Sequence, residues 1–187
     1  DHGMTSYSVA QKTLGIVGLG NIGTLVAVRA EALGMRVLFA DPFVETSPVV
    51  GWEKQTFEQV LAESDYISFH VHLEPSTEKM LNLANIHLLG KQPFLINVSR
   101  AELVERDALL FALRSQAIRG IALDAHYQEP TAEDDQLLHQ QNGFFSPHTA
   151  GSTADSYKET LRACKENIVS ALKEEPIEGI LAPTTHA

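Results

Sequence analysis

The chain has 187 residues, of which 44% are hydrophobic and 20% charged, as is typical of a globular domain with a full core. Its formal net charge of −10 disfavours nucleic acid and anionic membrane surfaces as partners. No apolar run approaches the roughly 20 residues needed to span a bilayer, and the single cysteine, Cys164, excludes an intrachain disulfide and fits a reducing compartment such as the cytoplasm.

The first part of the chain has a pattern of alternating strands and helices. Residues 1–12 are polar and weakly patterned, which predicts a linker or a frayed helix. An apolar run over 14–17 predicts the first strand, and hydrophobic residues at helical spacing over 22–33 predict a helix that ends at Gly34. The next predicted elements are a strand over 35–40, a loop over 42–55, a short helix over 56–63 and a strand over 65–73.

The alternation continues to a long final helix. Residues 75–90 are predicted to form a loop with short helical turns. Ser152 and Asp155 have the spacing of a capping box, which predicts the start of a helix that runs to Lys173 and is followed by a tail over 174–187. Before it, the pattern predicts strands over 92–98, 119–123 and 143–146, a helix over 103–116 and an acidic loop over 124–141.

Short apolar strands that alternate with helices are typical of a parallel sheet with helices on both faces. The sequence therefore predicts an α/β fold with a doubly wound parallel sheet, in a main domain that covers residues 13–173. In such a sheet, ligands bind beyond the carboxyl ends of the strands. Candidate functional residues are those that directly follow a strand.

The turn after the first strand carries a dinucleotide-binding pattern, from Gly18 to Gly23, with an acid, Asp41, about twenty residues further on. Gly18 permits the tight turn, Gly20 leaves room for a pyrophosphate, and Gly23 lets the helix pack closely on the strand. The helix N-terminus offers unpaired N–H groups to phosphates. Asp41 suits ribose hydroxyls, and the absence of a nearby cation favours NAD over NADP. The pattern predicts a Rossmann-type fold that binds NAD; a glycine turn that binds nothing is the alternative.

Three later strand ends carry residue types suited to hydride transfer between a carbinol and nicotinamide. Arg100 follows the fourth predicted strand, Asp124 and Glu129 follow the fifth, and His148 follows the sixth. A histidine can move the hydroxyl proton near neutral pH. A carboxylate can orient the imidazole, and an arginine can bind a substrate carboxylate through two hydrogen bonds.

These motifs together give the chain a family resemblance. From about Lys12 to Pro183 it resembles the nucleotide-binding domain of the D-isomer-specific 2-hydroxyacid dehydrogenases, which include phosphoglycerate dehydrogenase. The resemblance implies that Arg100 binds and polarises the substrate, that His148 is the general acid/base, and that Glu129 pairs with His148. The motifs that carry it, in the order of the family, are the glycine pattern, Ile96–Arg100, Ala122–Asp124, Glu129-Pro130 and Pro147-His148.

The resemblance also implies a set of residues around NAD, in which Asp124 receives the nicotinamide carboxamide. The set consists of Gly18, Gly20, Asn21, Ile22, Gly23, Asp41, Val71, Val98, Ser99, Arg100, Asp124, His148 and Gly151.

Some residues depart from the family pattern. Ala101 replaces a common glycine, at a cost of about 1 kcal/mol if the position needs a positive φ. His72 stands where proline is usual, and Ala125 and His126 replace an apolar pair. His70 and His72 share one strand face, but no further ligands are identifiable, so we predict no metal site and interpret His70 as structural.

The resemblance implies an NAD-dependent dehydrogenase that acts on a small 2-hydroxy or 2-oxo acid and forms a homodimer. In the family, a second domain that binds the substrate comes mostly before the glycine pattern, and here only about a dozen residues precede Thr13. We therefore expect that domain to be absent from this chain, and the chain alone to bind NADH but turn over no 2-oxo acid. An NADH-responsive, corepressor-like interaction protein and a binding-only relic of the fold are the alternatives.

Overall fold

The computed structural model describes residues 8–177 and residue 179. These residues fall into two compact units, the first ending at His148 and the second beginning at Thr149. The first unit contains the sheet and the second contains one long helix. No helix in the described part of the chain combines the length and the apolar character needed to cross a membrane.

The sheet of the first unit has seven parallel strands in the order β3-β2-β1-β4-β5-β6-β7. Because the chain moves outward from β1 to β3 and then returns to the other side of β1, the order reverses between β1 and β4. That reversal is the topological switch point at which sheets of this type bind ligands. The strands are β1 (Thr13–Val17), β2 (Arg36–Ala40), β3 (Glu53–Lys54), β4 (Tyr66–Phe69), β5 (Phe94–Asn97), β6 (Gly120–Leu123) and β7 (Gly143–Phe145).

Helices on both faces give the sheet two separate cores. Along β1, Ile16 belongs to a cluster with α1, whereas the neighbouring Val17 belongs to a cluster with α2 and α3, since successive side chains of a strand point to opposite faces. This arrangement confirms the predicted doubly wound α/β fold. The helices of the first unit are α1 (Asn21–Ala32), α2 (Phe57–Glu63) and α3 (Arg106–Arg114), with 3₁₀ turns at Ile86–Leu88 and Ala101–Leu103.

The structure corrects several element boundaries. The loop predicted over 42–55 contains β3, whose two residues are polar and exposed and therefore lack the apolar signature of a strand. The strands predicted over 65–73 and 92–98 are shorter, because pairing with their neighbours stops at Phe69 and Asn97. The helix predicted over 103–116 begins only at Arg106.

The long helix of the second unit is α4 (Ala154–Leu172). Its capping box is formed by Thr153 and Ser156, so the predicted pair of Ser152 and Asp155 was wrong by one position. None of its residues is buried. Gly151 lies in the exposed turn before this helix.

Candidate active site

The three motif glycines differ in their surroundings. Gly18 has φ +93, and a Cβ added to it would lie 2.6 Å from the Val71 side chain. A Cβ on Gly23 would overlap the carbonyl oxygen of Gly18. A Cβ on Gly20 would meet nothing within 4 Å. Gly18 and Gly23 are thus required by the turn itself, whereas Gly20 borders open space that a ligand can occupy.

The N-terminus of α1 leaves its first amides available. Gly20 is the N-cap and makes no side-chain capping bond, and the first turn holds no acidic residue. The N–H groups of a helix's first turn have no partner within the helix and carry a partial positive charge. Asn21 and Ile22, at the start of the helix, are exposed. This end of α1 suits a phosphate or pyrophosphate.

Asp41, at the end of β2, fixes the glycine turn through hydrogen bonds. Its Oδ2 accepts from the amide of Leu19 at 2.8 Å, and its Oδ1 accepts from the amide of Phe43 at 2.8 Å. Each carboxylate oxygen retains acceptor capacity for a ribose hydroxyl. One sequence prediction was wrong here: a cation, Lys54 of β3, lines the same cleft as Asp41.

That cleft has a volume of about 650 Å³ and opens at the carboxyl ends of β1 and β2. Its walls include Val17, Ala40, Val71 and Met80, with Asp41 and Lys54 as its charged groups. The volume lies within the range of cofactor pockets, and the position matches the switch point of the sheet.

A second group of functional residues begins after β5. The buried Asn97 holds this turn, because its amide donates to the carbonyl of Arg100 at 2.8 Å and its Oδ1 accepts from the amide of Ser99 at 3.1 Å. The Ser99 hydroxyl donates to the carbonyl of Phe69 at 3.0 Å. The exposed Arg100 guanidinium donates to the Ser99 carbonyl at 2.7 Å, and within residues 8–177 it forms no ion pair.

Ala101 fits its position without strain. It is buried, begins a 3₁₀ turn and is not among the described residues with positive φ. The cost that a positive φ would impose on alanine is therefore absent.

Asp124 lies directly after β6 and is 3% exposed. Its Oδ1 accepts a hydrogen bond from the Ser146 hydroxyl at 2.5 Å, which ties the end of β6 to the end of β7. The carboxylate is thereby held at the same sheet edge as the glycine turn.

Glu129 and His148 form the hydrogen-bonded pair that the family resemblance implied. The two carboxylate oxygens lie 2.9 and 3.0 Å from Nδ1 of His148, and Oε1 also accepts from the amide of His126 at 3.0 Å. The His126 amide and, to a smaller extent, the His148 hydrogen bond lower the pKa of Glu129. A carboxylate at Nδ1 requires a proton on that nitrogen, so Nε2 is left to exchange a proton with a ligand.

His148 has φ 55, a left-handed conformation that is uncommon for residues other than glycine. Such conformations persist where the surrounding structure enforces them and are frequent at functional sites.

The remaining predicted site residues lie at different distances from the strand ends, and one of them lies outside the first unit. Arg100 follows β5 and His148 follows β7, so β6 separates their strands, and two strand spacings amount to about 10 Å. Val71 and Val98 lie just past the ends of β4 and β5, and Val98 is 36% exposed. Gly151 belongs to the second unit.

His70 lies beside the glycine turn and contacts a neighbouring hydroxyl. Its Nε2 is 2.9 Å from the Ser68 hydroxyl, and burial lowers its pKa. In the described part of the chain, no cluster of three or more histidine, cysteine, aspartate or glutamate side chains could hold a metal ion.

Four residues that line or support the site were given no role in the sequence analysis. Lys54 lies in a strand without apolar signal, and Asn97, His126 and Ser146 act through turns whose hydrogen bonds depend on backbone geometry. Ser146 was assigned to the predicted strand over 143–146, and His126 was noted only as a departure from the family pattern.

Comparison with known proteins places this geometry in a family. Residues 1–150 match the family model described as D-isomer specific 2-hydroxyacid dehydrogenase, NAD binding domain. The chain is 35% identical to a glyoxylate reductase of Korarchaeum cryptofilum, over 92% of this chain and 52% of that protein. It is 34% identical to D-3-phosphoglycerate dehydrogenase 2, chloroplastic, of Arabidopsis thaliana, over 90% of this chain and 27% of that protein.

A solved structure agrees with these matches. The NAD complex of a D-isomer specific 2-hydroxyacid dehydrogenase from Lactobacillus delbrueckii ssp. bulgaricus superposes with a TM-score of 0.87 at 28% identity, over 97% of this chain and 60% of that one. The chain thus spans about half the length of the glyoxylate reductase that it matches. It belongs to the D-isomer specific 2-hydroxyacid dehydrogenase family and represents the family's NAD-binding domain.

Proposed function

We propose that the protein containing this chain is an NAD-dependent D-2-hydroxyacid dehydrogenase, which transfers a hydride between NAD(H) and a small 2-hydroxy or 2-oxo acid. The observation that carries the proposal is the contact of Glu129 with Nδ1 of His148 at 2.9 Å, at the same sheet edge as the glycine turn. A domain that only binds a dinucleotide does not need this pair. No observation favours the corepressor-like alternative.

The residues present suit NAD. The open space at Gly20 and the uncapped start of α1 would hold the pyrophosphate, and Asp41 would hold the adenosine ribose. The bound cofactor supplies the acceptor or donor of the hydride. Asp124 would accept a hydrogen bond from the nicotinamide carboxamide. Asn21, Ile22, Val71, Val98 and Ser99 complete the proposed cofactor set within the first unit.

The proton moves through His148. In the oxidation direction, neutral Nε2 takes the proton of the substrate hydroxyl while the hydride leaves the carbon that bears this hydroxyl. In the reduction direction, the charged ring returns the proton to the carbonyl oxygen. Glu129 stabilises the charged ring and keeps Nδ1 protonated. Arg100 would bind the substrate carboxylate through two parallel N–H donors and polarise the carbonyl.

We also propose that the protein forms a homodimer through α1. Three large apolar side chains of this helix and its C-cap that lie outside the proposed cofactor site are exposed: Leu25 by 55%, Val28 by 45% and Leu33 by 60%. Because about half of each side chain is already buried, burying the rest would contribute on the order of 1 kcal/mol each. A clean monomer in sedimentation at tens of micromolar would contradict the dimer.

The single cysteine, Cys164, supports a location in the reducing environment of the cytoplasm.

We assign substrate selection to a part of the protein beyond these residues, since the chain covers 52% of the glyoxylate reductase. The chain alone should bind NADH, yet without a closing domain it should not hold a substrate at the roughly 3–3.5 Å that hydride transfer needs.

The decisive experiment uses the enzyme with its substrate-binding part, saturating NADH and a panel of 2-oxo acids, followed by nicotinamide absorbance. His148→Ala should lower kcat by roughly 10²- to 10⁴-fold, because it removes the general acid. His139→Ala, at an exposed histidine of the loop before β7, is the matched control and should leave kcat unchanged. Full activity of His148→Ala would refute the assignment.

A further inference from the structure

We propose that His126 is a positioning residue for the Glu129–His148 pair. Its amide bonds Glu129, and its ring bonds the Ser146 carbonyl, which also accepts the His148 amide. The proposal rests on the proposed function for its catalytic meaning. The hydrogen bonds that carry it are properties of the folded chain and can be tested without substrate. His126 departs from the apolar residue of the resembling family, so the ring contact, unlike the main-chain contact, depends on the side chain at this position.

The first contact is made by the main chain of His126. Its amide donates to Oε1 of Glu129 at 3.0 Å, across the turn that links the two residues. The same Oε1 lies 2.9 Å from Nδ1 of His148. One carboxylate oxygen is therefore held between a backbone donor and the catalytic ring.

The second contact is made by the ring of His126. Its Nε2 lies 2.9 Å from the carbonyl oxygen of Ser146. Because a carbonyl can only accept, this Nε2 must carry a proton. The same Ser146 carbonyl accepts the amide of His148 at 3.0 Å. The ring of His126 thus fixes the backbone from which His148 extends.

The ring of His126 also contacts an aromatic side chain of β7. It is half-buried and lies with its centroid 6.4 Å from that of Phe145, the last residue of β7. With Phe145, Leu138 and Pro130 it lines a cavity of about 450 Å³ next to Glu129. The ring therefore connects the loop after β6 to the end of β7, and these two segments carry Glu129 and His148.

This link has a chemical consequence for His148. Both oxygens of Glu129 are within 3.0 Å of Nδ1, an arrangement that keeps the proton on Nδ1 and frees Nε2 for the substrate. If the two loops move apart, Glu129 loses this double contact and both neutral tautomers of His148 become populated. His126 acts on the reaction only through that tautomer.

The main-chain contact of His126 also favours the charged form of Glu129. It is the largest of the effects that lower the pKa of Glu129, ahead of the hydrogen bond from His148. The carboxylate thus remains charged, and able to accept from Nδ1, to lower pH than an isolated glutamate would.

The test reads the tautomers directly, by long-range ¹⁵N–¹H spectra of the ¹⁵N-labelled 187-residue chain at about pH 8.5, where ordinary imidazoles are neutral. In the wild type we expect His126 as the Nε2–H form and His148 as the Nδ1–H form. His126→Phe keeps the main-chain amide and removes the ring bond, and should lower the Nδ1–H fraction of His148 by at least half. His126→Gln places a donor near the same point and should restore it.

The control variant is His87→Phe, which changes an exposed histidine in the turn at 86–88 and should leave the His148 spectrum unchanged. Circular dichroism checks that each variant is folded. An unchanged His148 tautomer in folded His126→Phe would overturn the proposal. So would an Nδ1–H form of His126 in the wild type, a result that does not depend on any variant folding. Since no cofactor or substrate is present, a failed dehydrogenase assay would leave this result intact.

Discussion

Substitution by alanine should affect two glycines of the motif differently: Gly23→Ala should lower stability, and Gly20→Ala should weaken NADH binding. In Gly23→Ala, the new Cβ would overlap the backbone oxygen of Gly18, which no side-chain rotation can relieve. Overpacking of this kind costs about 1–3 kcal/mol, and a backbone obstacle places the cost at the upper end, about 3 kcal/mol. For a domain of this size, that corresponds to a fall in Tm of about 6–12 °C.

Gly20→Ala should leave the fold nearly unchanged. The added Cβ meets no atom within 4 Å, and the φ of −77 suits any residue. Alanine is a poorer N-cap than glycine by up to about 1 kcal/mol, and the smaller entropy of the unfolded chain returns about 0.4–1 kcal/mol. NADH binding should weaken by at least tenfold, or about 1.4 kcal/mol, because the methyl group occupies the space proposed for the pyrophosphate.

The assays are thermal unfolding without ligand and NADH titration by calorimetry on both variants. Gly20→Ala should separate affinity from stability, and Gly23→Ala should lose stability before any ligand is added. Equal losses of Tm in the two variants, or wild-type NADH affinity in Gly20→Ala, would refute the division of roles within the motif.

Three further predictions concern the cofactor, the helix cap and pH. The chain should bind NADH at least tenfold more tightly than NADPH, because Asp41 meets the 2′-phosphate, and Lys54→Ala should widen the preference; equal dissociation constants would contradict it. Thr56→Ala should lower the free energy of unfolding by about 1 kcal/mol through loss of the capping box of α2, whereas the exposed Thr46→Ala should be neutral in denaturant titrations. The lowered pKa of Glu129 adds stability that is complete above its ordinary value of 4.5 and is lost as the pH falls through the lower folded-state pKa. Chemical denaturation of wild type and Glu129→Gln should therefore differ at neutral pH and converge in acid; a difference that persists in acid would count against the pairing.

The sequence predicted the sheet well where apolar runs are buried on both faces. The strands around Ile16, Phe39, Ile67, Leu95 and Ile121 were all recognised, because residues buried in the two cores have to be apolar whichever face they meet. Strand ends were predicted less well. Val71 and Val98 continue the apolar pattern beyond the last paired residues of β4 and β5, so the predicted strands were too long. Residues that follow a strand at the edge of the sheet can be apolar without pairing in it.

The candidate site was predictable in its residue types and less so in its supports. Glu129 and His148 were paired on family resemblance, and their contact is present. The bonds of Asn97, His126 and Ser146 were not predictable, because they depend on where a turn aims an amide or carbonyl. Lys54 was missed because it lies in a stretch that is polar in sequence. Pairing of β3 with β2 at the sheet edge brings it to the cleft.

The two hydrogen bonds of Asp41 have a consequence for any attempt to engineer cofactor choice. A change from NAD to NADP ordinarily starts by removing the acid at this position, but here the acid also closes the glycine turn through the amide of Leu19. Asp41→Ala would leave two backbone donors without their acceptor, so acceptance of the new cofactor would be gained together with a looser turn. Asp41→Asn keeps one oxygen and can satisfy only one of the two sites occupied by the present oxygens. Directed evolution of NADP use should therefore select a second substitution that secures Leu19 or Phe43, and libraries that vary position 41 alone should yield variants with weak binding of both cofactors.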